Sequence, residues 1–256
     1  MFEKMLRAAA DHAASLGYAP VYVSLHGSQN YALDVYTQTY QSDFDFKCIV
    51  LPSLWDLVEG KKPASLTVDT DGGQIDIKDI RIFCDVLERM NPAYLESLAT
   101  QNYLALEPGM EALRACLPRL MHERGTVFAR ACEGLFEDKA KRMCHDSPAA
   151  HMRIMQYGYD GKQAHHMYRL KLLLEEFERT GEMRLTAPAH ERDLLIRLKL
   201  NEIALDDVQR MIPGWRAAMR ADRMRIEEKS GAPKRDALDE IVRIAQGMMH
   251  AHCLKT

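Results

Sequence analysis

Nothing in this 256-residue chain approaches the ~20 consecutive apolar residues that a bilayer-crossing helix needs, so no membrane partner is expected. Met1-Phe2-Glu3-Lys4 lacks the charged-then-apolar pattern of a secretory leader. The six cysteines are scattered without paired zinc spacing, so each reads as a small buried hydrophobe in a reducing, cytoplasmic setting. Internal repeats and low-complexity segments are absent as well. The net charge of −3 lacks the strong positive excess that a long nucleic-acid footprint requires. What remains is ordinary for a soluble globular protein, with 47% hydrophobic and 28% charged residues and enough length for one large domain or two small ones.

The charge is unevenly spread. Residues 1–139 hold 13 Lys and Arg against 20 Asp and Glu, whereas residues 140–256 hold 21 against 17. An acidic half is thus joined to a mildly basic one. The first half alternates helix and strand signals. Phe2, Met5, Leu6, Ala9, Ala13 and Leu16 predict a helix over 2–16, followed by strands over 21–26 and 43–51. Trp55, Leu57 and Val58 mark a short helix, and the Asp71-Gly72-Gly73 turn joins β segments at 65–69 and 74–78. Asp79 is placed to cap a helix over 80–90, which ends before Asn91-Pro92. Beyond residue 92 only helices are expected, at 93–100, 109–135, 148–180, 188–199, 204–228 and 234–253. The fold class is therefore α+β, a small mixed-sheet core followed by a helical C-terminal domain.

The chemistry is concentrated where an apolar strand ends in Gly27-Ser28 and a second strand begins at Asp43-Phe44-Asp45-Phe46. In extended chain alternate side chains share a face, so Asp43 and Asp45 point one way and the phenylalanines the other. Two parallel carboxylates are costly unless a cation neutralises them, and hard divalent ions prefer oxygen ligands. A Gly-Ser turn offers backbone N–H groups and a hydroxyl to phosphate. Phosphate cradle and metal carboxylates together point to phosphoryl or nucleotidyl transfer.

These residues carry a resemblance. The G-S…D-x-D arrangement resembles that of the DNA polymerase β-like nucleotidyltransferase superfamily, and within it the chain is similar to the RNA-repair-associated nucleotidyltransferases. Gly27-Ser28-Gln29-Asn30-Tyr31-Ala32-Leu33 resembles that family's G-S-x-x-Y-G-L, with Ala32 in place of the usual glycine. Asn91-Pro92-Ala93-Tyr94-Leu95-Glu96-Ser97-Leu98 resembles its N-P-x-x-L-E-x-L. Lys162-Gln163-Ala164-His165-His166-Met167-Tyr168-Arg169-Leu170 resembles its K-x-A-x-H-x-x-R-L. The loop before Asp43 is a few residues longer than the family's. The resemblance implies a catalytic core over 1–92 and a helical domain over 93–256 that closes the active-site cleft.

Within that frame Asp76 is expected as the third acid, since alternation turns it away from the apolar Ile75 and Ile77. Asp79 is the competing choice but also has its capping role. Asp43, Asp45 and Asp76 would share two Mg²⁺ ions, with Mn²⁺ as a substitute, while Gly27 and Ser28 hold the outer phosphates. Lys162, His166 and Arg169 fall at i, i+4 and i+7, one face of a helix, and are expected to grip the triphosphate. Tyr157 and Tyr159 could stack on a base or simply pack. His145, His151, His165 and the His250-Ala251-His252-Cys253 run match no zinc pattern. The expected activity is transfer of NMP from an NTP to an acceptor hydroxyl, with an RNA or tRNA end among the acceptors the resemblance implies. A catalytically silent nucleotide-binding or interaction module is the alternative, as is a toxin-type enzyme that modifies tRNA or protein.

Overall fold

The computed structural model describes residues 2–38 and 40–255. It is α+β: a five-stranded mixed sheet with helices, followed by a helical C-terminal region. By internal contact the chain groups into two units. One contains the residues up to Arg124 together with those from Lys234 on; the other is Gly125–Pro233.

The first unit opens with α1 (Phe2–Ser15), whose Leu6, Ala9, Ala10 and Ala13 form its buried stripe. Gly17, at φ 87°, turns the chain into β1 (Ala19–His26). The remaining strands are β2 (Phe44–Leu51), β3 (Ser65–Thr70), β4 (Gly73–Asp79) and β5 (Tyr103–Ala105), in the spatial order β3-β4-β2-β1-β5. Only the β2–β4 pair is parallel. Between β2 and β3 the chain forms α2 (Leu54–Val58), which begins with a reciprocal Ser53–Asp56 capping box.

Alternation along the strands divides the sheet into two faces. Val23, Leu25, Phe46, Cys48, Val50, Ile75 and Ile77 pack with the stripe of α1. The opposite face meets α3 (Ile80–Glu88) and α4 (Pro92–Ala99). Asp79 caps α3: its Oδ1 accepts from Arg81 N–H at 2.9 Å, and the Arg81 guanidinium holds both carboxylate oxygens. Asn91 caps α4 in the same way, with Oδ1 accepting from Ala93 N–H at 3.0 Å and Pro92 in the first turn.

The unit is completed from both ends of the remaining chain. After α5 (Pro108–Ala115), α6 (Leu117–Arg142) is kinked at Arg124, where the first unit gives way to the second. The last helix, α11 (Asp236–Cys253), packs on α3 and α5. Glu123 secures it, accepting from Ala237 N–H at 2.8 Å, and Arg119 pairs with Glu240 at 2.6 Å.

The second unit contains the rest of α6, then α7 (His151–Tyr157), α8 (Gly161–Thr180), α9 (Arg192–Lys199) and α10 (Leu205–Lys229). The expected helix over 148–180 is two helices: Gly158, at φ 78°, ends α7, and Asp160 caps α8. The expected helix over 109–135 divides at Cys116 into α5 and α6. The expectation of helices alone beyond residue 92 fails at β5, which adds a short edge to the sheet beside β1. Among the described residues no helix is long and apolar enough to cross a membrane.

Gly73 fixes the register of the strand that starts with Asp43 and Asp45, because it pairs with Phe44 at the start of the parallel ladder. A Cβ there would lie 1.8 Å from the Phe44 carbonyl oxygen, a backbone atom that no rotamer change can move. Gly73→Ala should therefore cost at least ~3 kcal/mol and lower Tm by more than about 6 °C, read by thermal unfolding. A variant that melts like the parent would show that the β2–β4 register is looser than described.

Candidate active site

β1 ends at His26, which pairs across the antiparallel ladder with Asp45 on β2. The next residue, Gly27, adopts φ 85° and ψ −152°, a conformation closed to ordinary side chains. A Cβ here would also sit 3.3 Å from Asp45 Oδ2, so the carboxylate would have to shift by a few tenths of an ångström to admit one. The turn after β1 thus runs along the carboxylate of Asp45 with nothing between them.

Ser28–Tyr31 then makes a single 3₁₀ turn that is tied down on three sides. Asn30 Nδ2 donates to the Leu25 carbonyl at 2.7 Å, and Thr100 Oγ1 donates to Asn30 Oδ1 at 2.7 Å. Gln29 Nε2 donates to the Asp43 carbonyl at 2.6 Å. Asp43 lies just before β2 and is exposed, whereas Asp45, two residues on, is partly buried. Gly27, Ser28, Asp43 and Asp45 therefore meet at one corner of the sheet, at the end of β1 and the start of β2.

Asp76 is placed differently. In the β2–β4 ladder it lies opposite Lys47, while Gln74 lies opposite Asp45. Lys47 Nζ donates to Asp76 Oδ2 at 2.9 Å, Tyr94 OH donates to the same oxygen at 2.8 Å, and Lys78 Nζ is 2.8 Å from Oδ1. Lys47 also lies over the Tyr94 ring, 4.1 Å from its centroid. Burial alone would raise the Asp76 pKa, but the charge of Lys47 and the hydrogen bonds from Lys78, Lys47 and Tyr94 outweigh it and hold the carboxyl below its usual range. Burial, then the adjacent Asp76, pushes the Tyr94 phenol well above its ordinary value. Among the described residues no group of three or more His, Cys, Asp or Glu side chains is arranged to hold a metal ion. The structure thus joins Asp43 and Asp45 to the Gly-Ser turn but gives Asp76 to two lysines.

Sequence reasoning missed Lys47, Lys78 and the pairing of His26 with Glu96. Glu96, on α4, is 1% exposed, and its Oε2 lies 3.6 Å from His26 Nδ1. A carboxylate so deeply buried needs polar neighbours, and one of them here is the residue directly opposite Asp45. The signal for Lys47 was present: a lysine two residues after Asp45 on an apolar strand must share the face of Asp45 and find a counter-charge there.

Lys162, His166 and Arg169 lie in the second unit, on α8. All three are half-buried on one side of the helix, whereas Ala164, His165, Met167 and Tyr168 are buried. His165 is a packing residue. Its Nδ1 is 2.9 Å from the Leu195 carbonyl, and burial drives its pKa down to about 3, so it is neutral at physiological pH. Positive charge is concentrated near the stripe. Burial, followed by the proximity of Arg142, lowers the pKa of Lys139 on α6, and Arg169 adds to the effect while Asp138 and Asp160 oppose it. Tyr159 packs, with its hydroxyl donating to the Ile203 carbonyl at 2.6 Å, whereas Tyr157 is 41% exposed.

No protein-family model matches the chain, and no curated protein matches it. Among solved structures, a nucleotidyltransferase-like protein from Exiguobacterium sibiricum is similar at 10% identity and a TM-score of 0.30, over 100% of this chain and 81% of that one. A likeness of that size leaves the functional reading to this chain's own residues.

Two outcomes follow from the site. Ala32 ends the 3₁₀ turn in the left-handed region, at φ 53°, where a side chain is strained. Ala32→Gly should raise stability by up to about 1 kcal/mol, or about 2–4 °C in Tm; a lower Tm would show that the methyl group is needed there. Asp76 has a folded-state pKa below its ordinary 3.8, so its ionised form stabilises the fold at pH values above 3.8 and that contribution is lost as pH falls through the lower folded value. The stability gap between the parent and Asp76→Asn, measured by urea unfolding, should be constant from pH 5 to 7 and shrink below about pH 4. A gap that widens on acidification would reverse the sign assigned here.

Proposed function

We propose that the chain is a metal-dependent nucleotidyltransferase that moves NMP from an NTP to an acceptor hydroxyl. The observation that carries this reading is the contact of the Gly27 turn with Asp45, two residues beyond an exposed Asp43. Bare backbone at Gly27 lies close to one carboxylate of the pair, so a nucleotide–metal complex there would meet both peptide N–H groups and carboxylate oxygens. The donor set fits Mg²⁺, or Mn²⁺ in its place, since both side chains offer hard oxygen. When bound, the ion supplies charge neutralisation for the departing pyrophosphate and lowers the pKa of the attacking hydroxyl.

The chain's own residues do the positioning. The Ser28 hydroxyl and the Gly27–Ser28 backbone would hold the outer phosphates. Asp43 and Asp45 would orient the nucleotide through the ion they carry. On α8 of the second unit the stripe of Lys162, His166 and Arg169 would bind anionic phosphate, Arg169 as a two-pronged donor and Lys162 as a point charge. An RNA or tRNA end is the acceptor we favour, since a short end needs few phosphate contacts and the net charge of −3 allows few. One observation favours the alternative of a silent nucleotide-binding module: Asp76 is engaged by two lysines.

Labelled NTPs with Mg²⁺ or Mn²⁺ and total cellular RNA or lysate separate the two readings. Transfer of label with release of pyrophosphate supports the enzyme, and nucleotide binding without turnover supports the module. In the enzyme, Asp43→Asn or Asp45→Asn should abolish transfer with the fold intact. Ser28→Ala should lower kcat/KM by roughly 10- to 100-fold, the loss of one hydrogen bond to a charged group. Full transfer by both aspartate variants would end the assignment of this corner as the active site.

A further inference from the structure

We infer that Asp76 is a positioning residue for the Lys47–Lys78 pair and not a metal ligand, so that Asp43 and Asp45 alone carry a single divalent ion. The inference deepens the proposed function and rests on it. It begins with the ladder. Asp76 lies opposite Lys47, two residues along β2 from Asp45, a displacement of about 7 Å on the same face. Asp45 faces Gln74, an amide, across the same strand pair. The register therefore puts a lysine where a third carboxylate would have to meet the first two.

Each oxygen of Asp76 already has a cation. Lys47 Nζ donates to Oδ2 from 2.9 Å and Tyr94 OH to the same oxygen from 2.8 Å, while Lys78 Nζ lies 2.8 Å from Oδ1 as an ion pair and gives its hydrogen bond to Ser65 Oγ. The lysine side chains are only 7% and 15% exposed, so neither ammonium can swing into water without unpacking its stem. A divalent ion bound to Asp76 would have to approach to ~2.0–2.6 Å of an oxygen with an ammonium on it. It would either sit against that charge or expel it and leave a buried ammonium without a partner.

The cluster has its own use. Two lysines against one carboxylate leave the cluster itself at +1, against the −2 of Asp43 and Asp45. That charge offsets half of the negative charge of Asp43 and Asp45, so that one divalent ion suffices to neutralise the corner. Tyr94 holds the arrangement from α4, through its hydroxyl to Asp76 and its ring beneath Lys47.

The test is Mn²⁺ binding to the full chain, followed by electron paramagnetic resonance with and without a non-hydrolysable NTP analogue. The expected result is one Mn²⁺ per chain at saturation. Asp45→Asn should weaken binding at least ~10-fold, while Asp76→Asn should hold the parent Kd within about 3-fold. Because Asp76→Asn strands a buried ammonium, the double variant Lys47→Met with Asp76→Leu supplies an apolar pair of similar bulk and should also keep the ion. Loss of Mn²⁺ in both the single and the double variant, or a second ion that disappears with Asp76, would overturn the inference and leave the functional reading standing. A parent chain that binds no Mn²⁺ even with nucleotide would overturn both.

Discussion

The arrangement depends on one constraint, the antiparallel register of β1 and β2 together with a glycine where β1 ends. Pairing His26 with Asp45 fixes how far the chain runs before it turns. The missing Cβ at Gly27 then lets the turn lie against the Asp45 carboxylate, 3.3 Å from where that atom would be. A one-residue slip would move Asp45 to the α1 face, among Phe46, Cys48 and Val50. The apolar packing of that face forbids the slip. The core beneath the sheet therefore sets the position of the polar corner above it.

On the α3 and α4 side, burial and charge have to be reconciled in a small space. Lys47, Asp79 and Glu96 are all nearly inaccessible; Lys47 and Asp79 have opposite charges beside them in Asp76 and Arg81, and Glu96 lies 3.6 Å from the His26 imidazole. Such pairs add little net stability, because desolvation offsets most of the attraction. Their effect is specificity of arrangement. Each partner can be satisfied in one geometry only, and Tyr94 and Glu96 both lie on α4, so the helix that follows Asn91-Pro92 orients two of the polar groups on this face.

Much of this was legible from residue order. The Gly27-Ser28 turn, the two strands flanking the long loop, and the Asp79 cap all have local causes: a glycine, a two-residue period, a capping side chain. The surroundings of Asp76 were not legible. Alternation shows that Asp76 faces away from Ile75 and Ile77, but not which residue of β2 lies opposite, since parallel register is set by contacts distant in sequence. β5 escaped because three residues between helices give no period to read. The break of the 148–180 segment was readable in hindsight, since Gly158 and Asp160 are a helix end and a helix cap two residues apart. Ala32 shows the reverse case: the sequence departs from glycine, and the left-handed turn persists with the strain in it.

The first unit is discontinuous, interrupted after Arg124 and resumed at Lys234, and this has a consequence for how the protein is made. The sheet, α3 and α5 leave the ribosome roughly a hundred residues before α11, whose Ala237, Leu238, Ile241, Ala245 and Met248 are buried in that unit. At ~5–20 residues per second, about 5–20 s pass between synthesis of the surface and synthesis of its cover. During that interval the nascent sheet unit carries an uncovered apolar patch. The sheet unit's exposure to aggregation and to chaperones therefore lasts for as long as the inserted segment takes to be synthesised.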